Sequence, residues 1–138
     1  MTAIILDCSV AVTWCFEDEA SAATDRMLDL VQSDGAFVPS HWIMEVSNTL
    51  LAGERRKRVT ASEIDEFHRL LQNLNVAVDT RTWDEALGAT LLLARKHSLT
   101  SYDAAYLALA IRLSLPLATK DKALRQASTA ENIALIDV

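Results

Sequence analysis

The sequence predicts an α/β domain in which a short parallel β-sheet of four or five strands is flanked by helices on both faces. Short apolar segments alternate with longer segments whose apolar residues recur at helical spacing. The short segments are apolar throughout, which is typical of parallel strands buried on both faces. Of the 138 residues 51% are hydrophobic, whereas only three are glycine and two proline, so we expect one core without an internal linker.

The predicted strands are the short apolar segments bounded by polar or turn residues. In chain order they span residues 3–7, 36–39, 76–79, 116–119 and 133–136. The predicted helices span residues 10–16, 20–33, 41–56, 61–74, 82–97, 101–113 and 121–127. Ser40 and Ser101 are expected helix caps, because a serine hydroxyl accepts a hydrogen bond from a free backbone N–H of the first turn. Thr60 and Glu63 have the spacing of a capping box.

Composition restricts the class of protein. The formal net charge of −6 argues against broad binding of nucleic acid through a basic surface. It is compatible with a nuclease whose acids are concentrated at a metal site beside a local basic patch. We expect no membrane segment, because no apolar run is long enough to cross a bilayer. The first residues lack the basic start of a signal peptide, and the two cysteines do not suggest a disulfide framework, so we expect a cytoplasmic protein.

Four acids stand at positions that the predicted fold would bring together. Asp7 and Asp121 follow the first and fourth predicted strands, Glu45 lies one turn into the helix after the second, and Asp103 lies in the first turn of a nearly apolar helix. Ligands of such folds bind beyond the carboxyl ends of the strands. Four carboxylates in one cleft repel each other, and a divalent cation removes that penalty. A site made only of oxygen ligands favours Mg²⁺ or Mn²⁺.

Each of these acids also has a plainer interpretation. Asp7 is a possible turn residue, Glu45 a possible solvated helix acid and Asp121 a possible helix cap, and a helix dipole favours Asp103 where it stands. Nearby polar side chains are candidates for a supporting role. The hydroxyls of two of them are spaced to orient a carboxylate or a metal-bound water, and the third lies on the helix face of Glu45; they are Ser9, Thr119 and Asn48.

Two groups of cations are candidates for contact with a phosphate backbone. The first, at a helix end, comprises Arg55, Arg56 and Lys57, and the second, near the proposed cleft, comprises Lys120 and Lys122. Other polar residues are expected to be ordinary surface residues, and the tryptophans to serve packing or interfaces. The expected surface residues are His41, His68, His97, Asp79 and Asp84.

Four segments together resemble the PIN-domain family and, within it, the VapC-type toxins of toxin–antitoxin pairs. They are residues 4–9, 39–50, 102–110 and 117–124. Each segment alone is a weak signal, but their order in a chain of this length is specific. The resemblance extends over essentially the whole chain, so residues 1–138 are interpreted as one PIN-like nuclease domain.

The resemblance implies a metal-dependent endoribonuclease. Asp7, Glu45, Asp103 and Asp121 would hold one or two Mg²⁺ or Mn²⁺ ions, and a metal-activated water would hydrolyse the RNA phosphodiester in line. The products would carry a 5′-phosphate and a 3′-hydroxyl. Similar proteins pair with a small antitoxin that blocks the acidic cleft, and they usually form homodimers.

Two other functions are compatible with the sequence. A receiver-like phospho-acceptor module would use Asp7 with Asp79 and Lys120, but it predicts a second acid beside Asp7 and leaves Glu45 and Asp103 unexplained. A non-catalytic binding protein with the same fold is the other alternative. A phosphatase of Asp-x-Asp type is disfavoured, because Ser9 stands where the second aspartate is required.

Overall fold

A computed structural model describes residues 2–138 and confirms the α/β prediction. Four parallel strands form one sheet in the order β3-β2-β1-β4. The strands are β1 (Ile4–Leu6), β2 (Ala36–Val38), β3 (Val76–Val78) and β4 (Leu117–Ala118). The central strand β1 is completely buried, and its Ile5 is paired with Phe37 of β2 and Leu117 of β4. Because all four strands run the same way, their carboxyl ends share one edge of the sheet.

Eight α-helices connect and cover the strands of residues 2–138. They are α1 (Cys8–Ala11), α2 (Ala22–Asp34), α3 (Trp42–Arg55), α4 (Ala61–Gln72), α5 (Thr82–Glu85), α6 (Ala89–His97), α7 (Ser101–Leu113) and α8 (Lys122–Ala130). Two 3₁₀ turns, Val12–Trp14 and Glu17–Glu19, join α1 to α2. Across the described chain, no helix has both the length and the apolar content needed to cross a bilayer.

Helix α7 is the most deeply buried helix. Every residue from 104 to 110 is buried, and four of these seven are alanines. Small side chains allow the helix to approach the sheet closely, while Tyr106, Leu107 and Leu109 fill the remaining core volume. This packing sets the position of the first turn of α7, where Asp103 lies.

Some predicted elements differ from the structure. The predicted helix 82–97 is divided into α5 and α6, with Gly88 between them, because glycine lowers helix stability. The predicted fifth strand is reduced to a single bridge between Leu117 and Leu135. Thr100, rather than Ser101, caps α7: its hydroxyl accepts a hydrogen bond from the backbone N–H of Asp103 at 3.1 Å.

Ser40 also does not cap its helix, since α3 begins after His41 without a side-chain cap. The backbone N–H of Ser40 donates instead to the hydroxyl of Thr82, at 3.1 Å. The loop after β2 is thereby joined to the start of α5.

Several residues expected at the surface are in fact engaged. The Asp79 side chain is only 9% exposed and accepts a hydrogen bond from Arg112 at 2.7 Å, which ties the end of β3 to α7. His97 lies 2.7 Å from Glu131 and is mostly buried. Conversely, Trp83 is 91% exposed and does not pack in the core of this chain. The sequence pattern does not reveal the contacts of Asp79 and His97, because each depends on a partner distant in the chain.

Gly53 marks a close contact between α3 and the segment that follows α1. A Cβ atom at this position would lie 2.5 Å from Cε1 of Phe16, whose side chain is completely buried. The guanidinium of Arg58 lies 4.4 Å from the centre of the same ring, on which it stacks. The aromatic ring therefore has little room to move.

We predict that Gly53→Ala lowers the free energy of unfolding by about 1–2 kcal/mol. Alanine improves helix propensity by roughly 1 kcal/mol, but overpacking a buried ring costs about 1–3 kcal/mol and outweighs it. Thermal unfolding followed by circular dichroism would measure the change. Glu54→Ala, at the exposed neighbouring position, is the matched control and should leave the melting temperature nearly unchanged. Adding Phe16→Leu to Gly53→Ala should cost less than Phe16→Leu alone costs; simple additivity of the two changes would refute the steric explanation.

Candidate active site

The four acids singled out in the sequence lie on elements that meet at the carboxyl edge of the sheet. Asp7 directly follows β1, and Glu45 lies in the first turn of α3, the helix after β2. Asp103 lies in the first turn of α7, and Asp121 precedes α8 after β4. The parallel topology therefore brings residues from the beginning and the end of the chain, Asp7 and Asp121, to one region.

Asp7 is buried and held by two hydroxyl groups. Ser9 Oγ and Thr119 Oγ1 both donate to Asp7 Oδ2, at 2.7 Å and 2.6 Å. The Ser9 hydroxyl in turn accepts from the backbone N–H of Lys120 at 3.0 Å, and the Thr119 hydroxyl accepts from that of Asp121 at 3.0 Å. This network joins the end of β1 to the end of β4 and fixes the orientation of the Asp7 carboxylate.

Burial raises the pKa of Asp7, and the nearby charge of Asp121 raises it further. The hydrogen bonds from Thr119 and Ser9 act in the opposite direction, because they stabilise the charged carboxylate. Burial also raises the pKa of the adjacent Cys8 thiol to about 12, so this cysteine is not a thiolate nucleophile near neutral pH.

Asp103 experiences the charge of all three other acids. Burial is the largest cause that raises its pKa to about 6, followed by the charges of Asp121, Asp7 and Glu45. Hydrogen bonding between the Thr100 side chain and the Asp103 carboxyl group lowers the pKa but does not offset these effects. The four carboxyl groups thus share one electrostatic environment.

Glu45 is held by side chains that sequence analysis did not select. The hydroxyl of Tyr106 donates to Glu45 Oε1 at 2.5 Å, and His41 Nε2 lies 3.5 Å from the same oxygen. His41 Nε2 is also 3.1 Å from the carbonyl oxygen of Tyr102. Spacing offered a signal for both residues: His41 precedes Glu45 by four positions and Tyr106 follows Asp103 by three, so each shares a helix face with an acid.

Asp121 does cap α8, as its plainer interpretation suggested. Its Oδ2 accepts a hydrogen bond from the backbone N–H of Leu124 at 2.8 Å. The nearby Arg125 donates to the carbonyl oxygen of Thr119 at 2.8 Å, which secures the loop between β4 and α8. The capping role and the position beside the other acids are compatible, because a carboxylate has several acceptor sites.

The remaining predicted residues are exposed. Asn48 lies on α3 one turn beyond Glu45. The three cations at the end of α3 begin ten residues after Glu45, a distance of about 15 Å along the helix axis. Lys120 and Lys122 flank Asp121 and lie much nearer to the acids.

The donor set suits a hard divalent cation. Its side chains offer carboxylate and hydroxyl oxygens, which Mg²⁺ and Mn²⁺ prefer. The two cysteines are not candidates, because Cys8 is buried as a thiol and Cys15 Sγ contacts the Glu63 carbonyl oxygen of α4. Within residues 2–138, no three His, Cys, Asp or Glu side chains already form a compact coordination cluster. Mutual repulsion between ionised carboxylates favours larger separations than those of a compact cluster. The residues therefore fit the cation in chemical type and charge.

Comparison with known proteins agrees with this architecture. Ribonuclease VapC3 of Pyrobaculum aerophilum is 28% identical over 123 residues, which cover 89% of this chain and 92% of that protein. The crystal structure of PAE2754 from Pyrobaculum aerophilum is similar with a TM-score of 0.68 and 20% identity, over 91% of this chain and 84% of that one. The crystal structure of FitAcB from Neisseria gonorrhoeae is similar with a TM-score of 0.64 and 16% identity, over 97% of this chain and 96% of that one.

The family assignment rests on a match to the whole pattern of the chain. A family model described as the PIN domain matches residues 4–130, a range that includes all four acids and every strand of the sheet. This chain therefore belongs to the PIN domain family.

Proposed function

We propose that this protein is a Mg²⁺- or Mn²⁺-dependent endoribonuclease and the toxin of a toxin–antitoxin pair. The observation that carries the proposal is the shared environment of four acids, expressed in the pKa of Asp103, which burial and the charges of Asp121, Asp7 and Glu45 raise to about 6. Similarity to a protein named Ribonuclease VapC3 supports RNA as the substrate. Proteins rarely place four carboxylates together without a counter-charge, and a divalent cation provides one.

In the proposed reaction, the chain supplies binding and orientation. A bound Mg²⁺ or Mn²⁺ ion would offset the charge of the acids, make a water more acidic and stabilise charge on the phosphate and the leaving oxygen. Asp7, Glu45, Asp103 and Asp121 would hold the ion. Ser9 and Thr119 keep the Asp7 carboxylate in one orientation through hydrogen bonds of 2.7 Å and 2.6 Å. Preset orientation reduces the reorganisation required when substrate arrives.

Positive side chains near the acids are proposed to hold the RNA backbone. Lys120 and Lys122 are exposed beside Asp121, and are therefore within reach of a phosphate that approaches the cleft. The exposed cations at the end of α3 lie about 15 Å away along the helix and would contact a more distant nucleotide. Asn48 is proposed as a weaker polar contact between these two positions.

The proposed partners are a cognate antitoxin and a second copy of the chain in a cytoplasmic complex. An exposed apolar groove of about 370 Å³ lies between α3 and α4, and Ile43 and Leu51 at its margin are 50% and 40% exposed. Large apolar side chains exposed side by side are typical of surfaces that bind another protein, which supports a partner at this groove. A short adjacent reading frame that encodes a DNA-binding protein would support the antitoxin, and light scattering of the purified chain would test the dimer.

The receiver-like alternative is weakened by the place of Asp79. This acid lies at the end of the edge strand β3, and its side chain is 9% exposed and paired with Arg112. A phospho-acceptor must instead be accessible beside the acids after β1. A non-catalytic protein with the same fold would bind RNA without cleaving it, so the cleavage assay separates it from the nuclease.

We predict that Asp7→Asn and Asp103→Asn each reduce Mg²⁺-dependent cleavage of a labelled RNA panel by at least about 100-fold. Each change removes a charge proposed to hold the cation, and loss of such groups typically costs orders of magnitude in rate. Gel analysis of initial rates would measure the effect, and excess EDTA should abolish wild-type cleavage. Asp29→Asn, an exposed acid of α2, is the matched control. Wild-type rates in either site variant, or cleavage that persists in EDTA, would refute the proposal.

We predict that Asp103→Asn raises the melting temperature of the metal-free protein at pH 7. The pKa of Asp103 in the folded protein is raised to about 6 from the ordinary 3.8. The folded state is therefore progressively destabilised as the pH rises through that window and the carboxyl group ionises. After allowance for solvent screening of a half-buried group, we expect about 1 kcal/mol, or roughly 3–4 °C. Thermal scans in EDTA at several pH values would show a gain at pH 7 and almost none at pH 4. A gain of equal size at both pH values would exclude charge repulsion as its cause.

We predict that the Lys120→Ala/Lys122→Ala double variant weakens RNA binding more than Arg55→Ala/Arg56→Ala does. The lysines are nearer to the acids, and each lost phosphate contact should reduce the salt dependence of binding by about 0.7 on a log–log scale. Fluorescence anisotropy at several salt concentrations would measure both quantities, with Asp103→Asn as the background to prevent cleavage. A larger loss of RNA affinity in Arg55→Ala/Arg56→Ala would contradict the prediction and indicate that RNA binds mainly along α3.

A further inference from the structure

We infer that Tyr106 is a positioning residue whose buried hydroxyl holds the Glu45 carboxylate in the orientation needed to bind a cation. The inference rests on the proposed metal-dependent function and assigns to it a residue outside the four acids. The hydroxyl of Tyr106 lies 2.5 Å from Glu45 Oε1, and the tyrosine side chain is completely buried.

The two residues belong to different helices. Glu45 is in the first turn of α3, and Tyr106 is in the second turn of α7, one turn after Asp103. Helix α7 is fixed by its burial in the core, so the hydroxyl is presented from a rigid element. A glutamate near a helix start would otherwise move among several rotamers, and ordering it on cation binding would cost free energy.

The direction of the hydrogen bond follows from chemistry. An ionised carboxylate can only accept, so the phenol donates to Glu45 Oε1. His41 Nε2 faces two acceptors, the Tyr102 carbonyl at 3.1 Å and Glu45 Oε1 at 3.5 Å, so this nitrogen carries a hydrogen. His41 also packs edge-on against the Tyr106 ring, with the centroids 5.6 Å apart. Both polar contacts end on Oε1, so neither of them occupies Oε2.

The contacts also connect the two helices in both directions. Tyr106 of α7 reaches Glu45 of α3, and His41 at the start of α3 reaches the Tyr102 carbonyl of α7. Glu45 lies in the first turn of α3, and Asp103 lies in the first turn of α7. Because the tyrosine bridges the helices, its hydroxyl affects the relative position of the acids as well as the rotamer of one of them.

The test is Mn²⁺ binding to the full chain without RNA, measured by calorimetry and by electron paramagnetic resonance of free Mn²⁺. Tyr106→Phe removes only the hydroxyl and should weaken Mn²⁺ affinity by about tenfold, the typical effect of losing a group that orients a metal ligand. In a Glu45→Gln background, the same change should have less than about a twofold effect, because the hydroxyl would act through the Glu45 carboxylate. Melting temperatures in EDTA would report the structural effect separately.

Leu50→Ala serves as the control for general destabilisation. Leu50 is a buried residue of α3 that lines the groove between α3 and α4, so its truncation should lower the melting temperature while Mn²⁺ affinity is retained. Wild-type Mn²⁺ affinity in Tyr106→Phe, or an equal loss in the presence and absence of the Glu45 carboxylate, would overturn the positioning role alone. Absence of Mn²⁺ binding to the wild-type chain would overturn both this role and the proposed function.

Discussion

The structure depends on a parallel sheet that carries like charges to one edge and keeps them there against their repulsion. Asp7, Glu45, Asp103 and Asp121 come from different segments, and the charges of the other three raise the pKa of Asp103. The free energy that maintains this arrangement comes from elsewhere in the molecule. A fully buried β1 and the nearly continuous burial of α7 fix the two elements at the centre of the site.

Polar support at this edge is selective. Two hydroxyls orient Asp7, the Tyr106 phenol donates to Glu45, and a backbone N–H of α8 donates to Asp121. Neutral donors of this kind orient a carboxylate without neutralising its charge, which a lysine or arginine in their place would do. Cations such as Lys120 and Lys122 stay at the exposed rim. The cluster therefore retains its negative potential while the individual side chains are ordered.

The sequence was most informative where local pattern and topology agree. The apolar segments predicted β1 to β4, and the positions of Asp7, Glu45 and Asp121 relative to the strands predicted their place at one edge. Features that depend on distant partners were not predictable in this way. The burial of Asp79 requires Arg112, and the contact of Tyr106 with Glu45 joins residues 61 positions apart. The apolar periodicity continues past Gly88 and therefore predicts one helix, whereas the structure has two, α5 and α6, with Gly88 between them.

The capping role of Asp121 links this edge to the folding of the last helix. One of its oxygens receives the Leu124 N–H, which is one of the otherwise free donors that begin α8. Under the proposed function, the same carboxylate also attracts a cation, so ligand occupancy and fraying of α8 become thermodynamically coupled. The backbone amides of this helix would then exchange with solvent at a rate that depends on the loading of the site. The C-terminal part of the chain would act as an internal reporter of cation occupancy.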